Sequence, residues 1–144
     1  MTIDEIYSDI AAHMIKGLMV HDQMVSYYCF LNLKGYATCH KYHYLKENKN
    51  YMKLKKYFIK HHNKLIPEKS ISDPKIIPNN WYAHERADVD ITTKRNSVKT
   101  GIEKWVDWEQ ETKSLYEKYY KELMNIGAVA DALFISCFLM DADE

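Results

Sequence analysis

Apolar side chains recur along the first third of the chain at helical spacing. Met14, Leu18, His21, Val25 and Tyr28 follow one another by four, three, four and three positions, which is one face of a helix. "TIDE" at residues 2–5 opens that helix as a capping box, in which Thr2 accepts from a free amide and Glu5 reaches back. Gly35, in "LKGY", is placed to take the left-handed turn after it, giving a first helix over about 3–33. A second helix, over 37–62, carries His40, His43, Glu47, Tyr51, Leu54 and Phe58 on one side and Lys49, Lys53, Lys56 and Lys60 on the other. Residues 64–92 hold all three prolines and little periodicity, so they are expected to be a connection. Thr92 or Thr93 can then cap a third helix, over 93–126, with the stripe Val98, Ile102, Trp105, Glu109, Thr112, Tyr116, Tyr119 and Leu123. A fourth helix, over 128–143, is apolar on nearly every side and is expected to be buried.

This pattern predicts an all-α fold, a four-helix bundle formed by residues 1–144 as one domain. The long connection has a geometric reason. Helices of this size span about 45 Å, and a strand of chain that returns to the far end must cover that length. A single long crossover between helices two and three is the ferritin-like topology.

Composition adds bounds. Hydrophobic residues make up 47% and charged residues 28%, ordinary values for a globular domain. No apolar run approaches the roughly 20 residues of a membrane span. The first ten residues are acidic and polar, unlike a signal peptide, and the three cysteines are odd in number and irregularly spaced. Reduced thiols in a cytoplasmic protein are the expectation. The net charge of zero conceals a gradient: nine lysines against Glu47 alone between Lys34 and Lys64, then ten acids against four lysines from Glu103 to Glu144. The preference for lysine over arginine suits an AT-rich coding sequence, as in a low-GC bacterium or its phage.

Each helix places a metal-ligand type of residue on its inner face. They are His21, then Glu47 with His43, then Glu109, and finally Asp141 with Glu144 one turn on. Counted from the two glycine turns, His21, Glu47, Glu109 and Asp141 fall at similar depth, roughly 20–27 Å along the bundle. A buried carboxylate without a partner costs several kcal/mol, so something must neutralise it. Two readings remain open. One is a divalent ion, iron or manganese, bridged by Glu47 and Glu109 with nitrogen from His21 or His43, and with Asp141 and Glu144 as outer candidates. The other is a hydrogen-bonded network that draws on the twelve tyrosines and on a protonated histidine.

With those residues in place, the chain resembles the ferritin-like superfamily, and its first half is similar to the DNA-protecting miniferritins. "YYCFLNLKGYATCH" supplies Tyr28, Asn32, Gly35 and His40 where those proteins carry an aromatic–Asn–x–x–Gly stretch followed by an early histidine. The resemblance implies a metal-holding bundle that binds iron or manganese and assembles as a homo-oligomer. The di-iron pattern of that superfamily asks for a Glu from each of two helices and Glu-x-x-His from the other two. Here Asp22 follows His21, Asn50 stands three after Glu47, and Glu-x-x-His occurs nowhere. A degenerate or non-redox site is therefore the expectation.

The alternative is a non-enzymatic interaction protein, for example a phage-encoded inhibitor of a host system. Its candidate partner surface is the lysine face together with Trp81 and Tyr82, in the aromatic and charged stretch "NNWYAHERADVD". Phosphate contact by those lysines is conceivable, yet arginine, the better base reader, is nearly absent. No Gly-rich phosphate loop, Gly-x-Ser-x-Gly or His-Glu-x-x-His is present, and Cys39, His40 and His43 lack the second pair that a structural zinc site needs. The short fourth helix leaves part of the bundle's length uncovered, which favours self-association.

Overall fold

The structure is a computed structural model that describes residues 1–74 and 90–142. The described residues form four α-helices and no strand: α1 (Ile3–Phe30), α2 (Lys34–His62), α3 (Ile91–Asn125) and α4 (Val129–Ala142). The all-helical architecture anticipated from the apolar stripes is what the described residues form.

Its helix ends show which local signals won. Thr2 caps α1, its hydroxyl accepting from the Glu5 amide at 3.2 Å. The turn into α2 does not use Gly35, which lies in the first turn of α2. Asn32 takes the left-handed conformation instead, with φ 60°; asparagine tolerates that region because its short amide can bond locally. Gly127 closes α3 at φ 79°, as its position suggests. At the start of α3 the cap is Asp90 rather than a threonine, and its Oδ1 accepts from the Thr93 amide at 2.7 Å. A carboxylate gains from the positive end of the helix dipole, which a hydroxyl does not.

Central to the packing is α1, buried on more than one face. Tyr7 meets Phe58 and His62 of α2 at the start of α1, and His21 meets His40 nearer its end, so the two helices are antiparallel. Along α3 the partners are Tyr27 with Ser97, His13 with Thr112, and Asp9 with Tyr119, again in opposite order. Residues 64–73 are laid along α1 in the forward direction. Lys64 bonds Asp4, the Pro67 carbonyl accepts from Ser8, Lys69 bonds Asp9, and Asp73 accepts from Gln23. Extended chain of that length covers about 30 Å, which matches the rise of the α1 segment it follows.

The core divides in two. A larger cluster joins Ile6, Tyr7, Ile10, Met14, Leu54, Phe58, Tyr116, Leu123, Ile135 and Phe138. A smaller one, Met24, Tyr27, Tyr28, Leu31 and Ala37, lies towards the α1–α2 turn and contains no described residue of α4.

Two expectations about side-chain direction fail. Ile102 is 41% exposed, because Gly101 beside it makes the close approach to Tyr28 and turns the seam of α3 through Ser97, Gly101, Trp108 and Thr112. The α4 helix is not enclosed: Ala132, Ile135 and Phe138 are buried, but Val129, Leu133 and Met140 are 48%, 58% and 69% exposed, and Cys137 is exposed too. A single short helix on the side of a bundle can bury only one face, whatever its composition. No helix among the described residues is long and apolar enough to cross a membrane.

Candidate functional site: the polar centre of the bundle

Between the two apolar clusters, α1, α2 and α3 bring polar side chains together. They can do so because α1 has no side chain at Gly17. A Cβ there would lie 3.3 Å from the Trp108 ring and 3.8 Å from Glu47 Oε2, so an indole from α3 and a carboxyl from α2 both rest on the α1 backbone. One turn further along α1 is His21, fully buried. Its Nδ1 lies 3.0 Å from Nδ1 of His40, which is also buried. The His43 ring stacks on His21 at 5.4 Å, and the Trp105 ring is within 4.8 Å of both His40 and His43. Trp105 Nε1 donates to Glu109 Oε1 at 3.0 Å, which leaves its only polar hydrogen unavailable to the histidines.

The electrostatics follow from burial. His21 is pushed down to about 3 by burial and then by its neighbours His40 and His43. His40 falls to about 4, by burial and then His43. The His43 imidazole is also lowered by burial, against an opposing pull from Glu109. All three rings are therefore neutral at pH 7. Glu47 is pushed up to about 7, first by burial and then by the charges of Glu109 and Asp141. The Tyr116 hydroxyl, raised by burial and by Glu47 and Glu109, stays protonated.

Neutrality of the histidines makes the His21–His40 contact informative. Only one Nδ1 can carry the hydrogen. If it is His40, then His21 Nε2–H is a buried donor with no acceptor; if it is His21, then Nε2 is a bare lone pair. Nε2 has no hydrogen-bond partner among the described residues. Orphaned buried N–H groups are rarer than under-satisfied acceptors, so the second tautomer is favoured. The centre thus holds an imidazole lone pair with nothing to bond.

No family model, no curated protein and no solved structure matches the chain.

The predicted site residues fare unevenly. His43 stacks on His21, Glu109 acts on both His43 and Glu47, and Glu47 itself lies against Gly17, one turn from His21. Asp141, half-buried in the last turn of α4, is close enough to act on Glu47. Glu144, Trp81 and Tyr82 lie outside the described residues. Lys49, Lys53, Lys56 and Lys60 are all exposed, as expected. His62, in the last turn of α2, bonds Asp131 through its Nε2 at 2.8 Å.

Two members stand outside that ligand set. His40, on the inner face of α2, meets His21 because the chain turns at Asn32 and not at Gly35; counted from the glycine, the two histidines are not level. His13 is the other: its ring stacks on Trp108 at 4.3 Å, and its Nε2 bonds Thr112, whose hydroxyl in turn donates to the Trp108 carbonyl. This arrangement holds α1 to α3. As the side chains stand, no three His, Cys, Asp or Glu among the described residues are grouped to hold a metal ion. The donor types nevertheless suit a divalent transition ion, with neutral imidazoles beside two carboxyl groups.

Proposed function

We propose that the chain is a ferritin-like bundle whose centre takes up a single divalent ion of the iron or manganese class, through a site reduced from the two-metal pattern. The topological part of this reading is supported by the antiparallel pairing of α1 with both α2 and α3. Those two helices then share a direction, and the path of residues 64–73 back along α1 is that of a long crossover. The observation that carries the metal part is the buried, unpartnered Nε2 of His21, on a ring that stacks against His43. A neutral imidazole nitrogen is the usual way for a protein to hold such an ion. The ion supplies positive charge to a centre that otherwise pushes Glu47 towards its protonated form; Glu47 and Glu109 supply oxygen, and His21 and His43 supply nitrogen.

The test is metal content. Protein purified without chelator and equilibrated with Fe2+ or Mn2+ under anaerobic conditions should retain about one ion per chain after gel filtration. Retention should fall by more than tenfold in Glu47→Ala/Glu109→Ala and in His21→Ala. Uptake should strengthen as pH rises through 7, where the proton on Glu47 no longer competes. Equal, near-zero metal in the natural protein and the double variant rejects the proposal.

A further inference from the structure

A cleft of about 420 Å3 opens between α1, α2 and the segment 65–71, and shares no residue with the histidine centre. Its floor is the side of α1 that carries only small side chains, Ser8, Ala11 and Ala12, so α2 and the segment stand apart above it. The polar groups of the segment are engaged by α1: Ser8 donates to the Pro67 carbonyl and Lys69 bonds Asp9. Its apolar side chains are left to the cleft, where Leu65 and Ile71 face Ile15 of α1 and Ile59 of α2 as aliphatic walls. Leu65 is 76% exposed and Ile59 45%, so these walls hold apolar surface in water.

One cation reaches into them. Lys55 lines the cleft and is half-buried, whereas Lys53 and Lys56 beside it are exposed. Its Nζ lies 4.3 Å from the centroid of the Tyr51 ring, which lines the cleft too. None of the ion pairs among the described residues involves Lys55. Glu68, the one acid in the lining, is exposed, where water and salt screen it. Aliphatic walls with an unpaired ammonium among them select a ligand of the same kind, a methylene chain ending in an anion. A peptide would bring backbone amides onto those walls, with Ser8 and Lys69 already bonded and nothing to receive them. A flat aromatic ligand would find one ring in the lining, Tyr51, whose face Lys55 already covers. From Ser8 to Ile15 the floor rises about 10 Å along α1, which suits a chain of medium length. We infer that the cleft binds a free medium-chain aliphatic carboxylate, its tail along the α1 floor between Ile59 and Leu65 and its head at Lys55.

Calorimetric titration of the whole chain with decanoate, below the concentration at which it forms micelles, reads this directly. Binding should saturate at one molecule per chain. Lys55→Met keeps the stem of the side chain and removes its charge; it should weaken decanoate by about tenfold and leave decanol, the uncharged analogue, unaffected. Ala12→Phe fills the floor and should abolish binding of both, at unchanged helix content by circular dichroism. Hydrogen exchange on the natural protein needs no variant, and decanoate should slow it within 65–71. Binding that fails to saturate, that survives Ala12→Phe or that ignores Lys55→Met overturns the inference, as does slowed exchange confined to other segments. Capture on phosphatidylglycerol vesicles with no uptake of free decanoate overturns it too, because the cleft would then be a membrane contact. If Ala12→Phe unfolds, Lys55→Met and the exchange experiment still decide the result.

Discussion

The Tyr28 hydroxyl occupies the space that a Cβ on residue 101 would need. Met24 Cε is 2.8 Å from the same point, so a side chain there would strike two fully buried neighbours on α1. Gly101 is what allows α1 and α3 to approach. The hydroxyl gains little from the arrangement: it has no hydrogen-bond partner among the described residues, and burial pushes its pKa up to about 12.

Three outcomes follow at this contact. Gly101→Ala should destabilise by about 1–3 kcal/mol through overpacking, even though alanine is the better helix former by about 1 kcal/mol. Tyr28→Phe should be neutral or stabilising, since it removes a polar group that folding strips of water without replacement. The two together should cost less than the sum of the separate changes. Urea unfolding followed by circular dichroism measures all three, and a stabilised Gly101→Ala would mean that the helices part freely here.

Stability should rise with pH through 6.5 and level off above about pH 7, because three depressed histidines outweigh one raised carboxyl. His13, His21 and His40 have folded pKa values of about 4, 3 and 4, below the usual 6.5. For His13 the causes are burial and then Lys16. Between those values and 6.5 the unfolded chain binds more protons, so stability is complete above 6.5 and falls as the pH drops. Glu47 acts in the other direction. Its folded value of about 7 exceeds the ordinary 4.5, so the folded state holds the extra proton and its contribution to stability declines as pH rises from 4.5 through 7. Glu47→Gln should therefore steepen the rise in stability between pH 5 and pH 7, as read from thermal midpoints between pH 4 and pH 9. An unchanged slope would show that Glu47 is ionised without penalty.

How much of this was legible in the sequence depended on what kind of signal each residue carried. Periodicity gave four helices and their inner faces, because apolar spacing is a direct image of burial. Heights counted from Gly35 set His21 level with Glu47, but the turn falls at Asn32, so His21 meets His40 while Glu47 rests against Gly17. Ile102 and Gly101 mark where that reasoning stops. A stripe read by hydrophobicity selects the isoleucine, whereas close packing against Tyr28 selects the residue with no side chain at all. The burial expected of α4 failed for a related reason, since composition reports what a face would prefer to meet and not whether a neighbour is there. Asp90 and Asn32 won their turns over Thr92 and Gly35 on differences of about a kcal/mol, too small for pattern to resolve.

The same limit hid the role of Asp131, on which the docking of α4 depends. Its Oδ1 accepts from the Tyr7 hydroxyl at 2.6 Å and from His62 Nε2 at 2.8 Å, so one buried oxygen joins α4 to both α1 and α2. Its place in the first turn of α4 adds the favourable end of the helix dipole. Tyr7 is fully buried, and burial followed by the Asp131 charge keeps its hydroxyl protonated and donating. Asp131→Ala strands that donor in the core and should cost about 1–3 kcal/mol. Asp131→Asn keeps a carbonyl oxygen for Tyr7 and should cost less. Tyr7→Phe/Asp131→Ala should be less damaging than the two single changes summed, because neither partner is left unmet. If Asp131→Ala unfolds at the same denaturant concentration as the natural protein, α4 is held by its apolar contacts, Ala132, Ile135 and Phe138 among them. In that event the hydrogen bonds of Asp131 only replace those it would make with water.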